Sequence, residues 1–124
     1  MQVQVIRLEQ GDVGPRVTLK TPGGVIWVYW RGEPPTRGQF TDVELAVTRV
    51  LTWGEELEPL SAAKAAEPTL GVLDGTLEAL DADGTVVLRV GASPVILSAQ
   101  GTPPVPGTHV RLRNCEITAY PTHL

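Results

Sequence analysis

Apolar and polar residues alternate through most of this chain, with the two-residue period of strands rather than the 3.6-residue period of helices. Gln2-Val3-Gln4-Val5 opens the pattern, Val17 and Leu19 carry it around Thr18 and Lys20, and Val43, Leu45 and Val47 repeat it. Turn residues punctuate it at Gly11-Asp12-Val13-Gly14-Pro15, at Pro22-Gly23-Gly24 and at Asp81-Ala82-Asp83-Gly84. Glycine and asparagine or aspartate accept the positive φ that tight hairpins require, so these clusters predict hairpins. The expected elements are a long strand Gln2–Gln10, a strand Arg16–Lys20, an aromatic strand from Val25 to Arg31, and a strand through Val43–Val47. Alternation slips at Thr48-Arg49 and again at Asn114-Cys115. A bulge or a tight turn between two strands explains either slip.

The pattern occurs twice. A shift of 69 residues sets Leu8-Glu9 on Leu77-Glu78, Asp12 on Asp81, Val17 on Val86, Leu19 on Leu88, and Gly32 on Gly101. It also sets Pro34-Pro35 on Pro103-Pro104, Gly38 on Gly107 and Val3 on Val72, giving ten identities over residues 1–38. Ordinary residue frequencies give roughly two or three by chance. Beyond Gly38 a two-residue adjustment sets Val43 on Val110, Leu45 on Leu112 and Trp53 on Tyr120. The chain therefore reads as repeat one over residues 1–57, a linker over 58–69 and repeat two over 70–124. In the linker, Ser61 caps a short alanine-rich helical turn ended by Pro68, or the segment is flexible; both readings stand. Each copy is near the lower size limit for folding alone, so the copies pack together or the protein oligomerises.

The repeat separates the two faces of the densest stretch, Val25-Ile26-Trp27-Val28-Tyr29-Trp30-Arg31. Ile26, Val28 and Trp30 correspond to Val95, Leu97 and Ala99, apolar in both copies. Trp27, Tyr29 and Arg31 correspond to Ile96, Ser98 and Gln100, whose character differs. The first set is expected in the core, the second outside beside Lys20.

Composition narrows the chemistry. Of 124 residues, 42% are hydrophobic and 19% charged, with 13 glycines and 11 prolines, which fits a globular all-β protein. The net charge of −4 argues mildly against a strong non-specific polyanion binder. Residues 1–53 nevertheless carry +1, residues 54–75 carry −4, and the remainder −1, so any phosphate-facing part is expected in the first section. Cys115 is the single cysteine, and His109 and His123 have no partner at ligand spacing. Neither a disulfide nor a zinc site is expected, and no cofactor. No nucleophile–base motif, phosphate loop or metal spacing is present, so no catalytic residue is expected. With no basic-then-apolar leader and no apolar run near membrane-spanning length, a soluble cytoplasmic protein is the expectation.

A long first strand, a hairpin, then Gly-x-x-Val-x-Leu-x-x-x-x-Ile with an aromatic three residues on (Gly107 to Tyr120) resembles the OB-fold modules of single-stranded DNA-binding proteins. The likeness spans both copies. It implies two small OB-like five-stranded barrels from an internal duplication, with two SH3-like barrels as the alternative. It departs from that family in the proline loop Glu33–Gly38, which replaces a helix, and in the little chain left after Asn114 for a fifth strand. The strand would be the one after the Asn114 slip, or another segment or subunit would complete the barrel. In that family the outer surface of strands two and three binds single strands. By position the resemblance implies that Trp27 and Tyr29 stack on bases and that Lys20 and Arg31 contact phosphates, with Arg37 and Arg49 assisting. The expected partner is single-stranded nucleic acid, DNA rather than RNA. The other expectation is a protein–protein adaptor, since aromatic residues and arginine also anchor protein interfaces.

Overall fold

The computed structural model describes residues 1–60 and 71–122. These form eleven strands and no helix: β1 (Gln2–Gly11), β2 (Gly14–Thr21), β3 (Gly24–Trp30), β4 (Phe40–Ala46), β5 (Leu51–Thr52), β6 (Leu57–Pro59), β7 (Leu73–Leu80), β8 (Thr85–Val90), β9 (Ser93–Gln100), β10 (His109–Leu112) and β11 (Thr118–Pro121). They make a closed five-stranded barrel, β1-β2-β3-β11-β4, and a six-stranded sheet, β5-β9-β8-β7-β10-β6, that nearly closes through a bridge between Trp53 and Leu57. Two small OB-like Greek-key barrels are the architecture.

The hairpins arise where glycine and aspartate allow them. At Pro22-Gly23, the Thr21 hydroxyl accepts the Gly23 N–H (3.1 Å) and donates to the Gly24 carbonyl (2.8 Å), which satisfies the turn internally. The second copy turns at Asp83, whose carboxylate accepts the Thr85 N–H at 3.0 Å. Ile26, Val28 and Trp30 are buried, as are Val95 and Leu97. Trp30 is seated by its indole N–H, which donates to the Glu33 carbonyl at 2.8 Å, so the largest core ring leaves no donor unpaired.

Matching hydrogen bonds carry the duplication into three dimensions. The Gly38 N–H donates to the Val5 carbonyl and the Gly107 N–H to that of Leu77, both at 2.7 Å. The Val5 N–H donates to Gln39 and the Leu77 N–H to Thr108. Val5 thus stands on Leu77, three residues further along than the shift that sets Leu8 on Leu77. Both first strands bulge just after this residue, at Val5/Arg7 and at Leu77/Ala79. The difference lies in hairpin length. In copy one β1 and β2 continue past the Leu8–Val17 pair to Gly11–Gly14, whereas in copy two the chain turns directly after Leu80–Val86. Identities at Val3, Leu8, Glu9 and Asp12 therefore join residues that are not structural equivalents, while those from Val17 to Gly38 hold.

The barrels do not coincide with the halves of the chain. β11, from the second half, enters the first barrel between β3 and β4, parallel to β3 through Thr118–Tyr29 and Ala119–Trp30. β5, from the first half, enters the second barrel parallel to β9 through Leu51–Ala99 and Thr52–Gln100. The slips at Thr48-Arg49 and Asn114-Cys115 are short connections that hand the following strand to the other barrel. Short hinges favour such exchange, because the chain cannot easily double back within them. Asn114, at φ 54°, is the one non-glycine residue with positive φ among the described residues, and it sits in such a hinge.

The acidic turn Trp53–Glu56 splits the incoming strand of the second barrel into β5 and β6. Glu58 and Pro59, read from sequence as the start of the linker, belong to β6 and pair with Arg111 and Val110. The rest of the linker, with Ser61 and Pro68, lies outside the described residues. Buried side chains of both barrels form one continuous core.

Candidate nucleic-acid interface

Alternation along β2, β3 and β11 decides what the first barrel presents outward. Opposite the buried Val17, Leu19, Ile26, Val28, Trp30 and Ala119 lie Arg16, Lys20, Trp27, Tyr29, Arg31 and Tyr120. Arg16 is across from Tyr29, and Thr18 is across from Trp27. On this diagonal the Arg16 guanidinium lies 3.9 Å from the centre of the Trp27 ring. Trp27 and Tyr29, two residues apart on the same face, meet edge to face at 5.5 Å with their planes at 88°. The three side chains hold one another in place. The Arg16 Nε–H is also buried without a partner among the described residues, a cost of about 1–3 kcal/mol that the cation–ring attraction offsets in part.

The exchanged strand widens this face. The Arg31 N–H donates to the Ala119 carbonyl at 3.0 Å, and the parallel register places Tyr120 next to Arg31. Tyr120 is 44% exposed and Trp27 40% exposed. Three aromatic rings and two arginines therefore share the surface of β2, β3 and β11. Sequence reasoning missed Arg16 and Tyr120. Arg16 was legible, since its parity along β2 matches that of Thr18 and Lys20. Tyr120 was not, because it belongs to the other repeat. Nor is it the counterpart of Trp53. Tyr120 is in a strand on the open face, whereas Trp53 begins a turn and packs against Gly101 of the second barrel.

The remaining sequence candidates scatter. Lys20 is exposed on β2, paired with Val25 rather than with an aromatic. Arg37 is exposed in the β3–β4 loop, which is tied to β1 through Gly38 and Val5, two strands away from Trp27. Arg49 lies in the β4–β5 hinge, hydrogen-bonded to Glu56. Glu56 is buried and also accepts the Thr52 N–H at 2.9 Å. That backbone bond, helped by Arg49, holds its carboxyl below the ordinary value.

A cleft of about 500 Å³ runs between the barrels. One wall is Ile26 and Trp27, and the other is the β10–β11 hinge from Arg113 to Ile117, with Thr48 and Arg49 at its side. Cys115 lines it, its thiol pushed up to about 11, chiefly by burial. A smaller cleft of about 380 Å³ stands at the corresponding place of the other copy, where Ile96, 63% exposed, replaces Trp27 and faces Asp42 and Glu44. Among the described residues no group of three or more histidine, cysteine or acidic side chains could hold a metal ion. No helix is long and apolar enough to cross a membrane.

No family model, curated protein or solved structure matches the chain.

Proposed function

We propose that this chain is a cytoplasmic single-stranded DNA-binding protein that uses the outer face of its first barrel. The observation that carries the reading is the shared surface of Trp27, Tyr29 and Tyr120 with Arg16 and Arg31 across three adjacent strands. Aromatic rings offer stacking platforms that any base can use, and guanidinium groups beside them meet the phosphates. Each stacked base contributes roughly 1–3 kcal/mol by truncation. The acidic balance of the whole chain fits modest affinity with a shallow salt dependence, because few cations serve the contact.

Tryptophan fluorescence followed during an oligo(dT) titration tests this. Quenching is expected at low salt, weaker at moderate salt, and reduced at least about fivefold in affinity for Trp27→Ala. No change at micromolar protein in low salt removes the reading. An oligoribonucleotide of equal length in the same titration separates DNA from RNA. One observation favours a second reading, a protein adaptor: the exposed Ile96 beside Asp42 and Glu44 fits an apolar, basic partner surface.

A further inference from the structure

The cleft between the barrels has features that a general strand-binding face does not require. Arg16 covers one side of the Trp27 ring and is not part of the cleft wall, whereas Trp27 itself lines the cleft. Facing it, the β10–β11 hinge presents Asn114 and Glu116, both exposed. Among the described lining residues the two cations are already engaged, Arg49 by Glu56 and Arg113 by Glu58 at 3.2 Å. Glu116 has no hydrogen-bond or ion-pair partner among the described residues. A ring platform thus stands across from an uncommitted carboxylate, and the volume lies in the range of small-ligand sites.

A carboxylate only accepts hydrogen bonds. Phosphate is repelled there, so the part of a nucleotide that enters must be the base, and it must donate. Guanine offers two adjacent donors, N1–H and the N2 amine, spaced to meet both oxygens of one carboxylate. Adenine and cytosine offer a single amine on that edge, beside an acceptor that faces the carboxylate. Thymine offers one imide N–H between two carbonyls.

Resting on the proposed single-strand binding, we propose that this cleft takes one guanine of a bound strand, stacked on Trp27 and held at its Watson–Crick edge by Glu116, with Asn114 bordering the base. The neutral Cys115 thiol forms part of a lining that suits a flat, uncharged ring.

Fluorescence anisotropy of labelled octanucleotides tests it: oligo(dT) against the same strand carrying a single central dG, dA or dC. On the full chain, dG is expected to tighten binding at least about fivefold, the size of one good bidentate contact, with dA and dC near oligo(dT). Glu116→Gln is exposed and nearly isosteric. It should erase the dG preference and leave oligo(dT) affinity within about twofold, which also shows that the variant is folded. Equal affinity for all four strands, or a dG preference that survives Glu116→Gln, overturns the guanine site and leaves the single-strand reading intact. No binding of any strand overturns both.

Discussion

Separating the two halves of the chain is the most demanding test of the exchanged strands. A fragment of residues 1–60 keeps β1 to β4 but loses β11, and with it the buried Ile117 and Ala119. It also loses the hydrogen bonds from Tyr29 to Ile117 (2.9 Å) and from Arg31 to Ala119 (3.0 Å). The same fragment retains Leu51 and Leu57, both fully buried in the intact protein, with no second barrel to enter. Burying one such side chain is worth about 1.5–3 kcal/mol, so Leu51, Leu57 and Ile117 together represent about 5–9 kcal/mol. A chain of this size has a total stability of about 3–9 kcal/mol at the usual density per residue. The loss matches or exceeds what is available, so fragment 1–60 is expected to be unfolded alone, and fragment 71–124, deprived of β5 and β6, likewise. Mixed in equal amounts, they should form a one-to-one β-sheet complex. Circular dichroism melts and amide NMR spectra of each fragment and of the mixture make the measurement. A cooperative melt of fragment 1–60 by itself refutes the reasoning, since it means that the first barrel closes without β11.

Three further outcomes follow from single residues. At pH 8 the Cys115 thiol, titrating near 11 rather than 9, should alkylate at least about tenfold more slowly than a free cysteine; an equal rate with iodoacetamide contradicts its placement. Glu56 titrates below its usual 4.5 in the folded state, so its contribution to stability is present above that pH and fades as acid protonates it. Urea midpoints of Glu56→Gln should accordingly fall less between pH 6 and 3.5 than those of the wild type, and parallel curves count against the assignment. Gly23→Ala would put a Cβ 2.3 Å from the Asp74 carbonyl oxygen where the β2–β3 turn meets β7. A loss of about 1–3 kcal/mol is expected in chemical denaturation, with no change at all as the contrary result.

Local pattern determined much of this protein. The faces of β3 followed from alternation, because successive side chains in a strand must point to opposite sides and the face of Ile26, Val28 and Trp30 is the one that stays apolar throughout in both copies. Hairpins followed from glycine and aspartate, and the helix-free β3–β4 loop from its prolines. Trp27 and Tyr29 were legible as an outward pair for the same reason. Tertiary structure decided the rest. An edge offers unpaired N–H and C=O groups to whichever strand reaches it, and alternation within β5 or β11 does not name the edge it joins. Hence the exchange of final strands, the arrival of Tyr120 beside Arg31, and the separation of Arg37 from the aromatic face. The three-residue slip in the first strand has the same origin, since equivalence there is fixed by hydrogen bonds across the barrel and not by identities along the chain.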